Sequence, residues 1–285
     1  VNTAGTNVLD ARLGISGQVL KAAKDEGRSA LVGYLPVGYP TVPGSLAAMR
    51  ALVEGTDGVG VDLVEIGMPY SDPMMDGLVI QHATTKALER GVHTHDLFTA
   101  VETVAAAGAT PMVMIYWNLV YRYGVEAFAR DLAAAGGAGL ITPDLTPDEA
   151  GEWVAASDAH GLDRIFLIAP SSSDERITTT MGACRGWVYA TSVMGVTGAR
   201  AQTSSAAPVI VERARAADPS LPVGVGLGVS NSDQAAEVGA YADAVIVGSA
   251  LVSCLISAEE AGNDDLRPLR EKVADLAAGV RRTGR

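Results

Sequence analysis

The sequence predicts an α/β fold, a single-domain (β/α)8 TIM barrel, and three observations carry that expectation. Eight short apolar runs recur along the chain, segments of helical period separate them, and the repeating units are near-uniform in size. Strands joined through helical crossovers run parallel, because a tight hairpin is what joins antiparallel neighbours. An open doubly wound sheet is the competing arrangement. The first strand is not followed by the glycine fingerprint of a dinucleotide site, which favours closure into a barrel. No Pro/Ser-rich linker or charge block divides the 285 residues, so one domain over 1–285 is expected.

Taken in order, "SGQVLKAAKDEG" predicts an extra helix at about 16–27, ahead of the first strand "ALVGYL" from Ala30. "TVPGSLAAMRALVEG" has apolar residues at spacings of three and four and stops at glycine, as helices with glycine C-caps do. "VDLVEIG" from Val61 is the second strand, and its long connection carries "GMPYSDPMMDGL" and two helical stretches. "PMVMIYW" from Pro111 and "AGLITPDL" from Ala138 come next, with "GVEAFARDLAAAG" as the helix between them. "TPDEAGEWVAASDAHG" leads to the fifth strand, "RIFLIAP" from Arg164, and "GWVYATS" from Gly186 is the sixth. A second long connection, "VMGVTGARAQTS", comes after it, and extra helical structure is expected in the connections after strands 2 and 6. "PVGVGLG" from Pro222 and "ADAVIVGS" from Ala242 complete the set, and "RPLREKVADLAAGVRR" predicts a C-terminal helix at about 266–282.

Composition narrows the function. A formal charge of −12 argues against nucleic acid or an anionic membrane as partner, yet leaves a phosphate ligand held by backbone amides possible. Cys184 and Cys254 have no CxxC or zinc spacing and lie in or beside apolar runs, which fits a reducing compartment. "VNTAGTNVLDARLG" lacks the basic start and apolar core of an export signal, and no stretch approaches ~18 consecutive apolar residues. A cytoplasmic location is expected.

Within "VDLVEIGMPYSDPMMDG", strand alternation puts Val61, Leu63, Glu65 and Gly67 on one face and Asp62, Val64 and Ile66 on the other. Whichever face is inward, Glu65 carries a charge close to the core. Asp76 stands eleven residues later in the loop, and catalytic groups of a barrel sit at C-terminal strand ends and the loops after them. Paired carboxylates in that position suggest general acid–base chemistry. A structural glutamate paired with an arginine, and a turn-forming Asp-Gly, are the plainer alternatives.

"VGVGLGVSNSDQ" and "VIVGSALV" each end a strand with spaced glycines and run into a helix start, in the two units where barrels frequently bind phosphate. Glycines admit a ligand to the backbone amides, and a helix N-terminus adds partial positive charge. Lys21, Lys24, Lys86 and Lys272 all fall away from predicted strand ends, as do His82, His93, His95 and His160. A Schiff-base lysine and a metal centre therefore have little support, and no metal is expected. "MGVTGAR" in the sixth connection, with Gly195 and Gly198 around Val196 and Thr197, has the composition of a loop that closes over a ligand.

In this order the pieces resemble the tryptophan synthase α subunit family. The resemblance rests on "LVEIGMPYSDPMMDG", "YATSVMGVTGAR", "VGVGLGVS" and "IVGSALV", and extends to "YLPVGYP", "MIYWN" and "GLITPDL". It implies cleavage of indole-3-glycerol phosphate to indole and glyceraldehyde 3-phosphate, with Glu65 as proton shuttle and Asp76 facing the indole N–H. It further implies Tyr34 and Tyr189 beside the substrate, Thr197 as a lid residue contacting Asp76, and Leu227 lining the pocket. The backbone of Gly198, Gly228, Gly248 and Ser249 would hold the phosphate. The implied partner is a pyridoxal-phosphate β subunit in an α2β2 complex that receives indole through a tunnel, with no cofactor in this chain. The contact falls on Pro69, Tyr70, Ser71, Asp72 and Pro73. Pro36, Leu78 and Val193 depart from the commonest family pattern and bear on lid closure and partner coupling.

Overall fold

The computed structural model describes residues 3–191, 206–226 and 228–282. Nine parallel strand segments form one sheet, in the order β5-β4-β3-β2-β1-β9-β8-β7-β6. They are β1 (Ala30–Pro36), β2 (Leu63–Gly67), β3 (Thr110–Met114), β4 (Gly139–Ile141), β5 (Asp163–Ile165), β6 (Leu167–Ile168), β7 (Val188–Thr191), β8 (Val223–Gly226) and β9 (Ala244–Val247). The fifth expected strand is present as two pieces. β5 pairs with β4 through Ile141↔Ile165, and β6 pairs with β7 through Leu167↔Tyr189. Only the buried Phe166 separates β5 from β6, so the chain itself closes the ring where the ladder changes partner.

The pleat sorts side chains between two apolar clusters. Leu31, Leu35, Val64, Ile66, Val113 and Val245 face outward and pack against the helical layer. Val32, Leu63, Met112, Ile165, Trp187 and Ile246 fill the barrel interior, in the layered manner of this architecture. Leu63 being interior settles the orientation of β2: Glu65, two residues on, projects into the barrel, and Val64 and Ile66 project to the helices.

Helices α2 (Val42–Glu54) and α7 (Gly151–His160) end at Gly55 and Gly161, both at positive φ, as the glycine stops predicted. The "TPDE" start of the latter segment is a separate 3-10 turn, Pro147–Glu149. Two helices, α3 (Leu78–Glu89) and α4 (Thr94–Ala106), lie between β2 and β3. The short α5 (Trp117–Tyr123) precedes α6 (Val125–Ala134) and was not foreseen. After β7, residues 192–205 are outside the described set and the next element is α9 (Ala206–Ala217), which comes after α8 (Asp174–Ala183) in chain order. The chain ends with α10 (Ser232–Gly239), α11 (Ser249–Glu260) and α12 (Arg267–Arg281), the last matching the expected C-terminal helix closely.

The N-terminal helix differs most from expectation. Instead of 16–27 it is α1 (Thr3–Asp25), kinked at Gly14, where φ is 54° and ψ −153°. Leu20 and Ala23 plug the base of the barrel interior. The kink frees the amides of Ile15 and Ser16, which donate at 3.3 and 2.6 Å to the buried Asp163, and Ser16 Oγ donates to the same carboxylate at 2.6 Å. A carboxylate from a distant strand thus caps the second half of the helix, a long-range partner invisible to local spacing. Among the described residues no helix is long and apolar enough to cross a membrane.

Candidate active site

Glu65 is the central residue of β2, opposite Tyr34 of β1 and Met112 of β3 in the strand register. It is 1% exposed, and its Oε2 has no hydrogen-bond partner. Burial first, and the charge of Asp76 second, push its carboxyl from 4.5 up to about 8. No arginine is paired with it among the described residues, which removes the structural ion-pair alternative. An unpartnered carboxyl oxygen inside a barrel is costly, and such costs concentrate where a ligand or reaction uses the group.

Asp76 lies on the loop just ahead of α3, whose N-cap is Gly77. The helix N-terminus favours its anion by at most about 2 kcal/mol. Burial outweighs that and raises the carboxyl from 3.8 to about 6. The Asp76 carbonyl accepts from Gln81 Nε2 at 2.7 Å, which anchors the residue to the first turn of α3. At neutral pH the two carboxyls therefore differ in charge, Glu65 largely protonated and Asp76 largely ionised, the separation that acid–base assignments require.

Tyr34 and Tyr189 complete the interior wall. Burial is the main cause that raises both phenols well above their ordinary value, and both also feel Glu65 and Asp76. Their rings fit because the facing strand positions are glycines. A Cβ at Gly67 would stand 2.3 Å from Tyr34 Oη, and one at Gly226 would stand 2.3 Å from Tyr189 Oη. The other edge of Tyr34 lies near Gly248, where an added Cβ would meet Tyr34 Cδ1 at 3.3 Å and Ile80 Cδ1 at 3.5 Å. Tyr34 thus spans the distance from the carboxylate strand to the start of α11.

Of the expected phosphate positions, Gly248 and Ser249 are brought together at that start. Gly248 is the N-cap, no side chain caps the helix, and Ser249 is buried at 7% exposure. Such an N-terminus has backbone N–H groups to offer an anion. The helix start after β8 is different: Asn231 accepts from Gln234 N, and Ser232 N donates to Asp275 at 3.1 Å, so α10 is already capped by protein groups. Gly228 turns the chain ahead of that helix, at φ 75°. Thr197, Gly198 and Leu227 lie outside the described residues.

In the segment expected to meet a partner, Ser71 and Asp72 are exposed, Tyr70 and Pro73 half-buried, and Pro69 buried. Met74 and Leu78, exposed at 73% and 81%, enlarge the apolar part of this patch. Sequence reasoning missed Gln81 and also Tyr116, whose hydroxyl holds the backbone ahead of Asp76; "MIYWN" marked the stretch without marking the residue. Among the described residues no group of three or more His, Cys, Asp or Glu is placed to hold a metal.

Comparison with known proteins gives the family. A family model described as tryptophan synthase alpha chain matches residues 20–281. The chain belongs to the tryptophan synthase alpha chain family. The tryptophan synthase alpha chain of Mycobacterium avium is 59% identical over 265 residues, covering 93% of this chain and 94% of the relative. That of Acidothermus cellulolyticus is 58% identical over 266 residues, covering 93% and 97%. A chain of Mycobacterium tuberculosis tryptophan synthase superposes with a TM-score of 0.87 at 56% identity, covering 94% of this chain and 98% of that one. A chain of the tryptophan synthase a2b2 complex of Pyrococcus furiosus gives 0.80 at 31% identity, covering 88% and 98%. The sheet and its crossovers are thus common to relatives of widely different sequence.

Proposed function

We propose that this chain is the lyase subunit of tryptophan synthase, cleaving indole-3-glycerol phosphate to indole and glyceraldehyde 3-phosphate in tryptophan biosynthesis. The observation that carries the residue assignment is the buried Glu65 carboxyl, with one unpartnered oxygen and a pKa raised to about 8, beside the more acidic Asp76.

The indole ring carbon that bears the glycerol chain is a poor leaving group until it is protonated. Glu65, neutral at working pH, donates that proton, and positive charge develops on the ring nitrogen. Asp76, ionised, faces the indole N–H and stabilises the cation, an interaction strengthened by exclusion of water. The carbon–carbon bond then breaks toward the ring while the adjacent side-chain hydroxyl becomes the aldehyde. Its proton returns to the Glu65 carboxylate, so the residue ends the cycle as it began it. Tyr34 and Tyr189 pack beside the indole, and the amides at Gly248 and Ser249 take the phosphate, with Gly228, Gly198, Thr197 and Leu227 as further contacts from the neighbouring loops.

This chemistry uses carboxylates alone, with no cofactor in this chain; pyridoxal phosphate belongs to the β subunit. The patch formed by exposed Ser71, Asp72, Met74 and Leu78 with half-buried Tyr70 and Pro73 is the face offered to that subunit, in an α2β2 assembly in the cytoplasm. The chain acts as one domain.

Indole release from indole-3-glycerol phosphate, measured on the chain alone and with its cognate β subunit, tests the assignment. Glu65→Gln is expected to lower turnover by about 100-fold or more, the usual weight of a general acid, and Asp76→Asn to be similarly impaired. Unchanged release by Glu65→Gln would sink the mechanism.

A further inference from the structure

Tyr116 is the N-cap residue of α5, yet its side chain does not cap that helix. The first helical amide, Trp117 N, donates instead to both carboxylate oxygens of Asp144, at 2.9 and 3.1 Å. Released from capping, the buried Tyr116 phenol reaches across to the loop after β2. Its oxygen accepts the N–H of Met74 at 2.9 Å and the N–H of Met75 at 3.2 Å. Its ring stacks on Tyr70 with centroids 4.9 Å apart and planes at 23°, and Asn118 Nδ2 donates to Tyr70 Oη at 3.4 Å. One side chain therefore grips the loop at Tyr70 and again at the two amides immediately before Asp76.

We propose that Tyr116 is a positioning residue for Asp76: by accepting both preceding amides, its hydroxyl oxygen sets where the Asp76 carboxylate stands relative to Glu65. Two N–H donors occupy the acceptor side of a phenolic oxygen, leaving its own proton directed elsewhere. The phenol stays neutral, since burial and then the Asp76 charge raise its pKa. Gln81 holds Asp76 from the other side through its carbonyl, so the residue is fastened both before and after its Cα. Asp144 acts one step further back, by fixing the α5 start from which Tyr116 projects. Misplacing a charged group by about 1 Å in a site of this kind costs about 100-fold in rate. The Gly248 and Ser249 amides proposed for the phosphate lie at the start of α11, after β9, so binding of substrate depends little on this loop.

The inference rests on the lyase reading, and the test separates the two. Tyr116→Phe keeps the ring stacked on Tyr70 and removes only the acceptor. With the cognate β subunit present, kcat for indole release is expected to fall about 10-fold or more and KM to change less than about 3-fold. Hydrogen exchange of the Met74 and Met75 amides is expected to accelerate. Among the described residues, the titratable groups that feel Asp76 are Glu65, Tyr34, Tyr116 and Tyr189. A loosened loop hydrates Asp76, so the acidic limb of the pH–rate profile moves down from about 6 toward the ordinary value of ~4. A merely structural tyrosine would leave that limb in place. Parental kcat, parental pH profile and unchanged amide exchange overturn the inference while an inactive Asp76→Asn leaves the lyase reading standing. An Asp76→Asn variant as active as the parent removes both.

Discussion

Replacing Glu65 by glutamine is expected to change stability with pH in a direction that the site geometry dictates. Glu65 is 1% exposed, and its carboxyl is raised from 4.5 to about 8, burial being the main cause. In the unfolded chain it ionises near its ordinary value; in the folded chain it stays protonated well past neutrality. The folded state therefore holds a proton that the unfolded state has lost, and stability falls as pH rises through that window. Each pH unit between the two values is worth about 1.4 kcal/mol, so roughly 2.5 units to pH 7 amount to about 3 kcal/mol. Above the folded value the loss levels off near about 5 kcal/mol. Glutamine has almost the same shape and no charge at any pH, so the variant escapes this loss. Urea unfolding of parent and Glu65→Gln at about pH 5, 7 and 9 reads the difference directly, since a shift of midpoint at constant slope reports stability. The variant should gain on the parent between pH 5 and 7, and further to pH 9, although it has lost activity. A stability gap that stays flat across this range refutes the reasoning, because it would mean that Glu65 titrates like a hydrated carboxylate.

Other consequences are as direct. Turnover of the parent should trace a bell in pH, rising through about 6 as Asp76 ionises and falling through about 8 as Glu65 loses its proton; Asp76→Asn should abolish the acidic limb in whatever activity remains. Gly226→Ala places a methyl 2.3 Å from Tyr189 Oη, so about 1–3 kcal/mol of stability and at least ~10-fold of turnover should be lost, by thermal unfolding and by indole release. Gly14→Ala combines a backbone conformation open essentially only to glycine with a Cβ 1.7 Å from Asp163 Oδ1, and should destabilise by about 3 kcal/mol in urea unfolding without altering the pH–rate profile of the folded fraction.

Much of the architecture was legible because it is written at short range. Strand runs, helix periods and glycine stops lie within a few residues of one another, and all eight strands stand where the apolar runs place them, the fifth as two pieces. Where the organisation depends on distant partners, local pattern falls short. Residues 3–15 belong to the first helix although the local pattern places its start near Ser16, because Gly14 bends the helix and Asp163, far along the chain, caps the half beyond the bend. The α10 start has glycines ahead of it like a phosphate cradle, but only folding shows that Asn231 takes the amide of Gln234 and the distant Asp275 that of Ser232. Pro69 stands within the expected partner segment, and folding buries it.

The sequence by itself determined the alternating α/β order, the two carboxylates and their eleven-residue spacing, and the glycines ahead of α11, since each of these is a property of neighbouring residues. Only the tertiary structure decided that Glu65 points inward, that its carboxyl is deprived of a partner and held protonated, that glycines on facing strands make room for Tyr34 and Tyr189, and that Tyr116 fastens the loop carrying Asp76. The reason is physical: a proton affinity is set by everything that surrounds a group and excludes water from it, and in a barrel those surroundings come from strands and loops that meet only when the ring has closed.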